Sequence, residues 1–177
     1  MGSIGKGYVH IYTGNGKGKT TAALGLALRA AGNGLKTCIV QFMKGQRYGE
    51  LEAERMTGGL VTIEQYGHPG FCSIGDEPDP EDVRRATSAL ERVREIMQDR
   101  SCDVLVADEL VTAALFRLVT EDDVLSVIEG KPTGMELVLT GRGATPRMID
   151  AADLVTEMLE VKHYYAQGVP ARPGIES

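Results

Sequence analysis

The chain has 177 residues and a formal net charge of −6, a length that suits one domain with a substantial core. The acidic balance excludes an extended basic nucleic-acid surface, although lysines gather locally near the N-terminus. Apolar residues make up 42% of the chain, which excludes a disordered polymer, and no run is long and apolar enough to span a bilayer or read as a signal peptide. The three cysteines, Cys38, Cys72 and Cys102, are odd in number and lack metal-ligand spacing, so the chain reads as a cytosolic protein with reduced thiols. Cys38 and Cys102 adjoin apolar runs and are expected to be small core residues.

The first strand is predicted over 8–13. It runs directly into Thr13-Gly14-Asn15-Gly16-Lys17-Gly18-Lys19-Thr20-Thr21, after which an Ala/Leu-rich helical pattern occupies 20–31. Strand, glycine-rich turn and helix start are the context in which a phosphate-binding loop works. Backbone N–H groups converge on phosphate oxygens there, and the helix dipole presents its positive end to the same anion. Lys19 is placed to reach terminal phosphates and the Thr20 hydroxyl to join a Mg²⁺ shell. The usual first glycine of the motif is replaced by Thr13, with glycines at Gly14 and Gly16 instead.

The first helix is read with Leu24, Leu28 and Ala31 on one face and stops at Gly32-Asn33-Gly34. A second strand is predicted at 37–42, buried on both faces, then a short helix near 50–56 and a third strand at 60–66. The stretch 67–80 is too long and irregular for a simple connector, which marks it as a functional loop. A charged helix comes next over 80–100, with Pro80 and acids in its first turn and Val83, Leu90, Val93 and Met97 as its inner stripe. Strands at 103–108, 135–140 and 154–159 and helices at 121–129 and 146–152 complete an alternating pattern. That pattern predicts a mostly parallel sheet of about six strands flanked by helices, in a single domain over 1–177.

Val104-Leu105-Val106-Ala107-Asp108-Glu109 is a buried strand ending in acids, which resembles the metal-side carboxylates of P-loop enzymes. One of Asp108 and Glu109 is expected on Mg²⁺ or its waters while its neighbour faces the other way, and spacing does not decide which. Lys44, Arg142 and the long loop around Phe71 come after strand ends on the edge where open α/β sheets hold ligands. His68 and Cys72 form a weak metal pair, and His10, within a strand, is expected to pack.

Together, Thr13-Gly-Asn-Gly-Lys-Gly-Lys-Thr-Thr-Ala-Ala, Val40-Gln-Phe-Met-Lys-Gly, Ala107-Asp-Glu-Leu, Leu139-Thr-Gly-Arg-Gly, Val161-Lys-His and the closing Gly168-Val-Pro-Ala-Arg-Pro-Gly-Ile-Glu resemble the ATP:cob(I)alamin adenosyltransferases of the BtuR/CobO type. The resemblance covers nearly the whole chain in order. It implies a RecA-like P-loop fold, a homodimer, and transfer of the 5′-deoxyadenosyl group of ATP to a reduced corrinoid with Mg²⁺ and release of triphosphate. It further implies that Gly14 and residues 15–21 hold the triphosphate, with Lys19 and Lys17 acting on the leaving group. Thr20 and Glu109 would hold the metal, and Arg29 and Arg142 would lie near the nucleotide. Phe71, His68 and Lys44 are the corrinoid-side candidates, and a flavoprotein reductase is the expected source of Co(I). Many members carry Gly-Phe-Thr-Trp in the corrinoid loop. Here the run is Gly70-Phe71-Cys72-Ser73, and the chain has no tryptophan. Two other readings of the same loop remain: an ATPase or kinase that cleaves the γ-phosphate, and a non-catalytic corrinoid- or nucleotide-binding protein.

Overall fold

The computed structural model describes residues 4–68 and 77–176. Six parallel strands form one sheet in the order β3-β2-β4-β5-β1-β6. They are β1 (Val9–Thr13), β2 (Thr37–Gln41), β3 (Val61–Gln65), β4 (Val104–Asp108), β5 (Glu136–Thr140) and β6 (Leu154–Glu157). Because every pairing is parallel, all six C-terminal ends lie on one edge of the sheet, and every connection must cross the sheet with a helix or long loop. The central strands β2 and β4 are buried along their whole length, apolar through their middles and ending in the buried polar residues Gln41 and Asp108.

The helices are α1 (Lys19–Gly32), α2 (Ala53–Met56), α3 (Pro80–Asp99), α4 (Leu110–Leu115), α5 (Glu121–Glu129) and α6 (Pro146–Ala151), with short 3₁₀ turns at Gly49–Glu52 and Tyr164–Gln167. α3 opens on an Asp79 cap that accepts from the Glu81 N–H, and it buries Ala86, Ala89, Leu90, Val93, Ile96 and Met97. Val83, expected in that stripe, packs at its margin. α5 begins in a capping box in which Thr120 and Asp123 satisfy each other's backbone N–H.

Two expectations are corrected. The inner face of α1 is an alanine stripe, Ala23, Ala27 and Ala30, and Leu28 stands 66% exposed. Small side chains let the helix lie close over Ile39, Val104, Val106 and Val138, with Leu24 and Leu26 packed at the margin and Leu28 turned outward. The second correction is α4, which begins two residues after Asp108 and was not anticipated. Glu109 turns the chain through a left-handed conformation (φ 65°), so the helix starts without any Pro, Gly or hydroxyl cap in the sequence to mark it.

Cys38 and Cys102 are buried, as expected. The alanine stripe makes a prediction. Ala27→Leu should lower stability by about 1–3 kcal/mol, because the helix cannot move off the sheet without losing its other contacts. Urea denaturation monitored by circular dichroism measures it.

Candidate functional site

The C-terminal edge of the sheet opens into a cleft of about 800 Å³. Its polar wall is the loop from Asn15 to Thr21 together with Lys44, Glu109 and Arg142. α1 starts at Lys19 behind Gly18, with no side-chain cap and no acid in its first turn. Its first N–H groups therefore carry uncompensated partial positive charge toward the cleft, which makes this helix end an anion site.

The loop owes its shape to close backbone packing against the residues after β6. Met158 N–H donates to the Thr13 carbonyl (2.9 Å), and Gly16 N–H donates to the Met158 carbonyl (2.7 Å). A Cβ at Gly14 would lie 2.4 Å from that carbonyl oxygen and one at Gly16 2.7 Å, so both positions must be glycine. The Gly16 N–H thus points into the protein rather than toward a ligand. Lys19 is 7% exposed, and its ammonium donates to the carbonyls of Gly14 (2.8 Å) and Gly16 (2.9 Å). Burial pulls its pKa below the ordinary lysine value, with Glu109 opposing and Arg142 adding to the shift. Two of its three protons are held by the loop, leaving one for an anion.

Under the loop lies a saturated carboxylate. Asp108 is fully buried. Its Oδ1 accepts from the hydroxyls of Thr20 (2.8 Å) and Thr140 (2.7 Å). Its Oδ2 accepts from Gln41 Nε2 (3.1 Å) and lies 3.1 Å from Lys44 Nζ. Gln65 in turn donates to Gln41 (2.9 Å), so one hydrogen-bonded row crosses β3, β2, β4 and β5 along the ligand edge. Lys44 also meets Glu50 (3.3 Å) and Thr20 Oγ1 (3.2 Å). Burial lowers its pKa, but Asp108 and Glu50 outweigh that, and the net shift is upward.

Glu109 occupies a different setting. Its N–H donates to Thr140 Oγ1 (2.9 Å), while its carboxylate accepts from the Thr112 hydroxyl and lines the cleft, half-buried. Thr112 Oγ1 also accepts the Arg142 N–H (2.8 Å), which ties the β5 loop to the Glu109 side of the cleft. Asp108 therefore has its lone pairs committed, and Glu109 is the acid that faces open space. Among the described residues, no group of three or more His, Cys, Asp or Glu is arranged to hold a metal. The oxygens of Thr20 and Glu109 nonetheless fit Mg²⁺, which takes one or two protein ligands and completes its octahedron with phosphate and water.

Not every expected residue joins this site. Arg29 lies in the last turn of α1, roughly 15 Å along the helix from Lys19, and is not itself on the cleft wall, although its neighbour Leu28 is. Lys44, expected to offset phosphate charge or to face the corrinoid, lines the cleft and meets Asp108 and Glu50 in its polar floor. His68 is exposed and outside the cleft wall, its backbone closely packed on Gly45. Phe71, with Cys72, lies outside the described residues. Sequence reasoning passed over the side chains of Gln41 and Thr140, although each, like Asp108, is a polar residue ending an apolar strand. It also missed the contribution of His163 and residues 174–176 to the cleft wall, for which no local pattern exists.

Lys44→Met should cost about 3–5 kcal/mol at neutral pH, because Asp108 would be left buried without its cation. The folded-state pKa of Lys44 is raised, so its stabilisation is complete below the ordinary value of 10.5 and is lost as pH rises through the higher folded value. The stability gap between wild type and Lys44→Met should stay constant up to that point and narrow beyond it. Denaturant titrations across alkaline pH check this.

The chain matches the family described as ATP:corrinoid adenosyltransferase BtuR/CobO/CobP over residues 5–177. It is 37% identical over 172 residues to a corrinoid adenosyltransferase of Pseudomonas aeruginosa, covering 97% of this chain and 84% of that one. It is 32% identical over 176 residues to the corrinoid adenosyltransferase of Escherichia coli K12, covering 97% and 86%. Among solved structures, it resembles a KaiC-like protein of Pyrococcus horikoshii with a TM-score of 0.58 and 19% identity, covering 89% of this chain and 74% of that one. The flagellar accessory protein FlaH of Methanocaldococcus jannaschii also has a TM-score of 0.58, at 13% identity, covering 87% and 72%. These two likenesses show the RecA-like P-loop fold. The phosphate loop, the strand-end acids and the closing segment are thus parts of one family pattern, and the chain belongs to the ATP:corrinoid adenosyltransferases of the BtuR/CobO/CobP type.

Proposed function

We propose that this protein transfers the 5′-deoxyadenosyl group of ATP to the Co(I) centre of a reduced corrinoid and releases inorganic triphosphate. The observation that carries this reading is the family match from residue 5 to 177. The cleft supports it, because Lys17, Lys19 and Arg142 line it beside the uncapped start of α1, where a triphosphate would meet positive charge. As the cobalt electron pair forms the Co–C5′ bond, the C5′–O bond breaks and its electron pair stays on the triphosphate. No proton moves at the reacting carbon, so the reaction needs no side-chain base. The protein's tasks are to orient C5′ and to stabilise the charge that builds on the departing oxygen.

In this reading Lys19, Lys17 and the N–H groups at the start of α1 take up the negative charge of the triphosphate, and Arg142 faces it from across the cleft. Asn15, Gly18 and Thr21 shape the loop around it, while Gly14 and Gly16 fix the loop to the residues after β6. Thr20 and Glu109 would hold Mg²⁺, whose part is to neutralise phosphate charge. Asp108 holds Thr20 in place from below. Phe71 and His68 are proposed on the corrinoid side.

Chain 1–177 is proposed as one domain with one active site. Exposed apolar residues on β6 and just after it, Leu154, Val155, Leu159 and Val161, support a homodimer. No helix among the described residues is long and apolar enough to cross a membrane. The cytoplasm is proposed because ATP and a strong reductant, such as a flavoprotein, meet there.

The test is incubation with ATP, Mg²⁺ and chemically reduced cobalamin. A light-sensitive cobalt–carbon product with stoichiometric triphosphate is expected, whereas ADP and orthophosphate would replace this reading with γ-phosphate cleavage. Lys19→Ala should lower turnover by on the order of a hundredfold or more with the fold retained. Glu109→Gln should raise the Mg²⁺ concentration needed for half-maximal rate, and Asp108→Asn should act mainly on stability, as metal titrations and melting curves would show.

A further inference from the structure

The segment after β6 returns to the phosphate loop twice. It first runs beside Gly14 and Gly16 at Met158, then passes through the 3₁₀ turn Tyr164–Gln167 and doubles back at Gly168 (φ 80°). Its last described residues close into a compact knot around Glu176. That carboxylate accepts from the Tyr164 hydroxyl, from Arg172 N–H (2.9 Å), and from Arg172 Nε and Nη2 (3.1 Å each). The Arg172 guanidinium lies 5.0 Å from the centre of the Tyr164 ring. Ile175 and Glu176 N–H both turn onto the Arg172 carbonyl, with Gly174 in a left-handed conformation (φ 78°).

None of this touches the hydrophobic core. The knot instead presents Gly174, Ile175 and Glu176 as a wall of the nucleotide cleft, and the Ile175 carbonyl accepts from Lys17 Nζ at 3.1 Å. Lys17 is exposed, with a long stem whose rotamer freedom would otherwise dilute its charge over many positions. One proton spent on the Ile175 carbonyl leaves two for phosphate oxygens, and the lysine is held over the loop. The interactions within the knot are charge-assisted and bidentate, the type strong enough to hold a short exposed segment. Arg172 and the Tyr164 hydroxyl pull the Glu176 carboxyl down to about 2.

We propose that residues 168–176 are a working part of the nucleotide site, in which Glu176 is a positioning residue: through Arg172 and Tyr164 it sets the Ile175 carbonyl that holds Lys17 on the leaving triphosphate. This rests on the reading of the loop as the triphosphate site, and equilibrium ATP binding tests it without any corrinoid chemistry.

Three variants are compared with wild type: Lys17→Ala, Glu176→Gln and the double variant. Each is measured by calorimetric ATP binding and by the steady-state constants of adenosyl transfer. Glu176→Gln should weaken ATP binding by about tenfold, as expected for loss of a positioned charge-assisted contact, with the melting temperature unchanged. The double variant should bind ATP no worse than Lys17→Ala alone, because the carboxylate acts only through that lysine. Glu176→Asp should recover part of the loss, and a chain ending at Pro173, which keeps the lysine but loses the carbonyl that holds it, should match Glu176→Gln. Additive effects in the double variant, or a lowered melting temperature with ATP affinity intact, would overturn the proposal. So would tighter ATP binding by the shortened chain, which would make the segment an obstruction. If ATP binds and the variants show this pattern but no adenosyl product forms, the strap stands and the reaction assignment falls.

Discussion

A carboxylate taken wholly out of water costs several kcal/mol unless its charge and its lone pairs are all met, and Asp108 at the end of β4 is fully buried. The groups that meet it come from four separate parts of the chain: Thr20 at the start of α1, Gln41 on β2, Lys44 after β2 and Thr140 on β5. Gln41 and Thr140 are themselves buried, while Thr20 and Lys44 also reach the cleft. The shared carboxylate joins these groups, and the cluster's geometry fixes where the helix start, the β2 loop and the β5 loop stand relative to one another. Removing any one partner is expected to disturb the others, which is the condition under which pairwise energies cease to add.

The sheet order makes this convergence possible. β1, which carries the phosphate loop, and β4, which carries the acids, are separated by β5, so Thr140 fills the gap between loop and carboxylate. Thr140 serves both acids: its hydroxyl donates to Asp108 and accepts the Glu109 N–H. The left-handed turn at Glu109 then sends consecutive acids in different directions, one into the floor and one into the cleft. A division of labour results from a single backbone dihedral. The buried acid orders the site, and the other lines the cleft.

The opposite wall depends on β6 and the residues just beyond it. β6 is exposed along its length, so apolar burial does little to hold it, yet its continuation supplies the carbonyl against which Gly14 and Gly16 are fitted. Lys19 is already held by two loop carbonyls and partly desolvated, so its charge is presented with little solvent to displace when phosphate arrives. Such preorganisation is worth most when charge develops on a leaving group, because nothing has to reorient during the reaction.

Most of the secondary structure was legible along the chain because its causes are local. Apolar runs of strand length, Pro80 and Thr120 at helix starts, and Gly32-Asn33-Gly34 at a helix stop each act within a few residues. The phosphate loop was legible for the same reason: strand, glycines, lysine, threonine and helix are contiguous. α4 was not, since its start depends on a positive φ at Glu109 that the tertiary bonds of Asp108 and Thr140 impose. The sequence by itself therefore determined the fold class, the loop and, through motifs spread over nearly its whole length, the family. Only the tertiary structure decided that Asp108 is buried under the loop and Glu109 the acid in the cleft, that Lys44 meets Asp108 and Glu50, and that the closing segment meets Lys17. Those outcomes rest on contacts between residues far apart in the chain, and no spacing rule along it encodes which strand ends become neighbours.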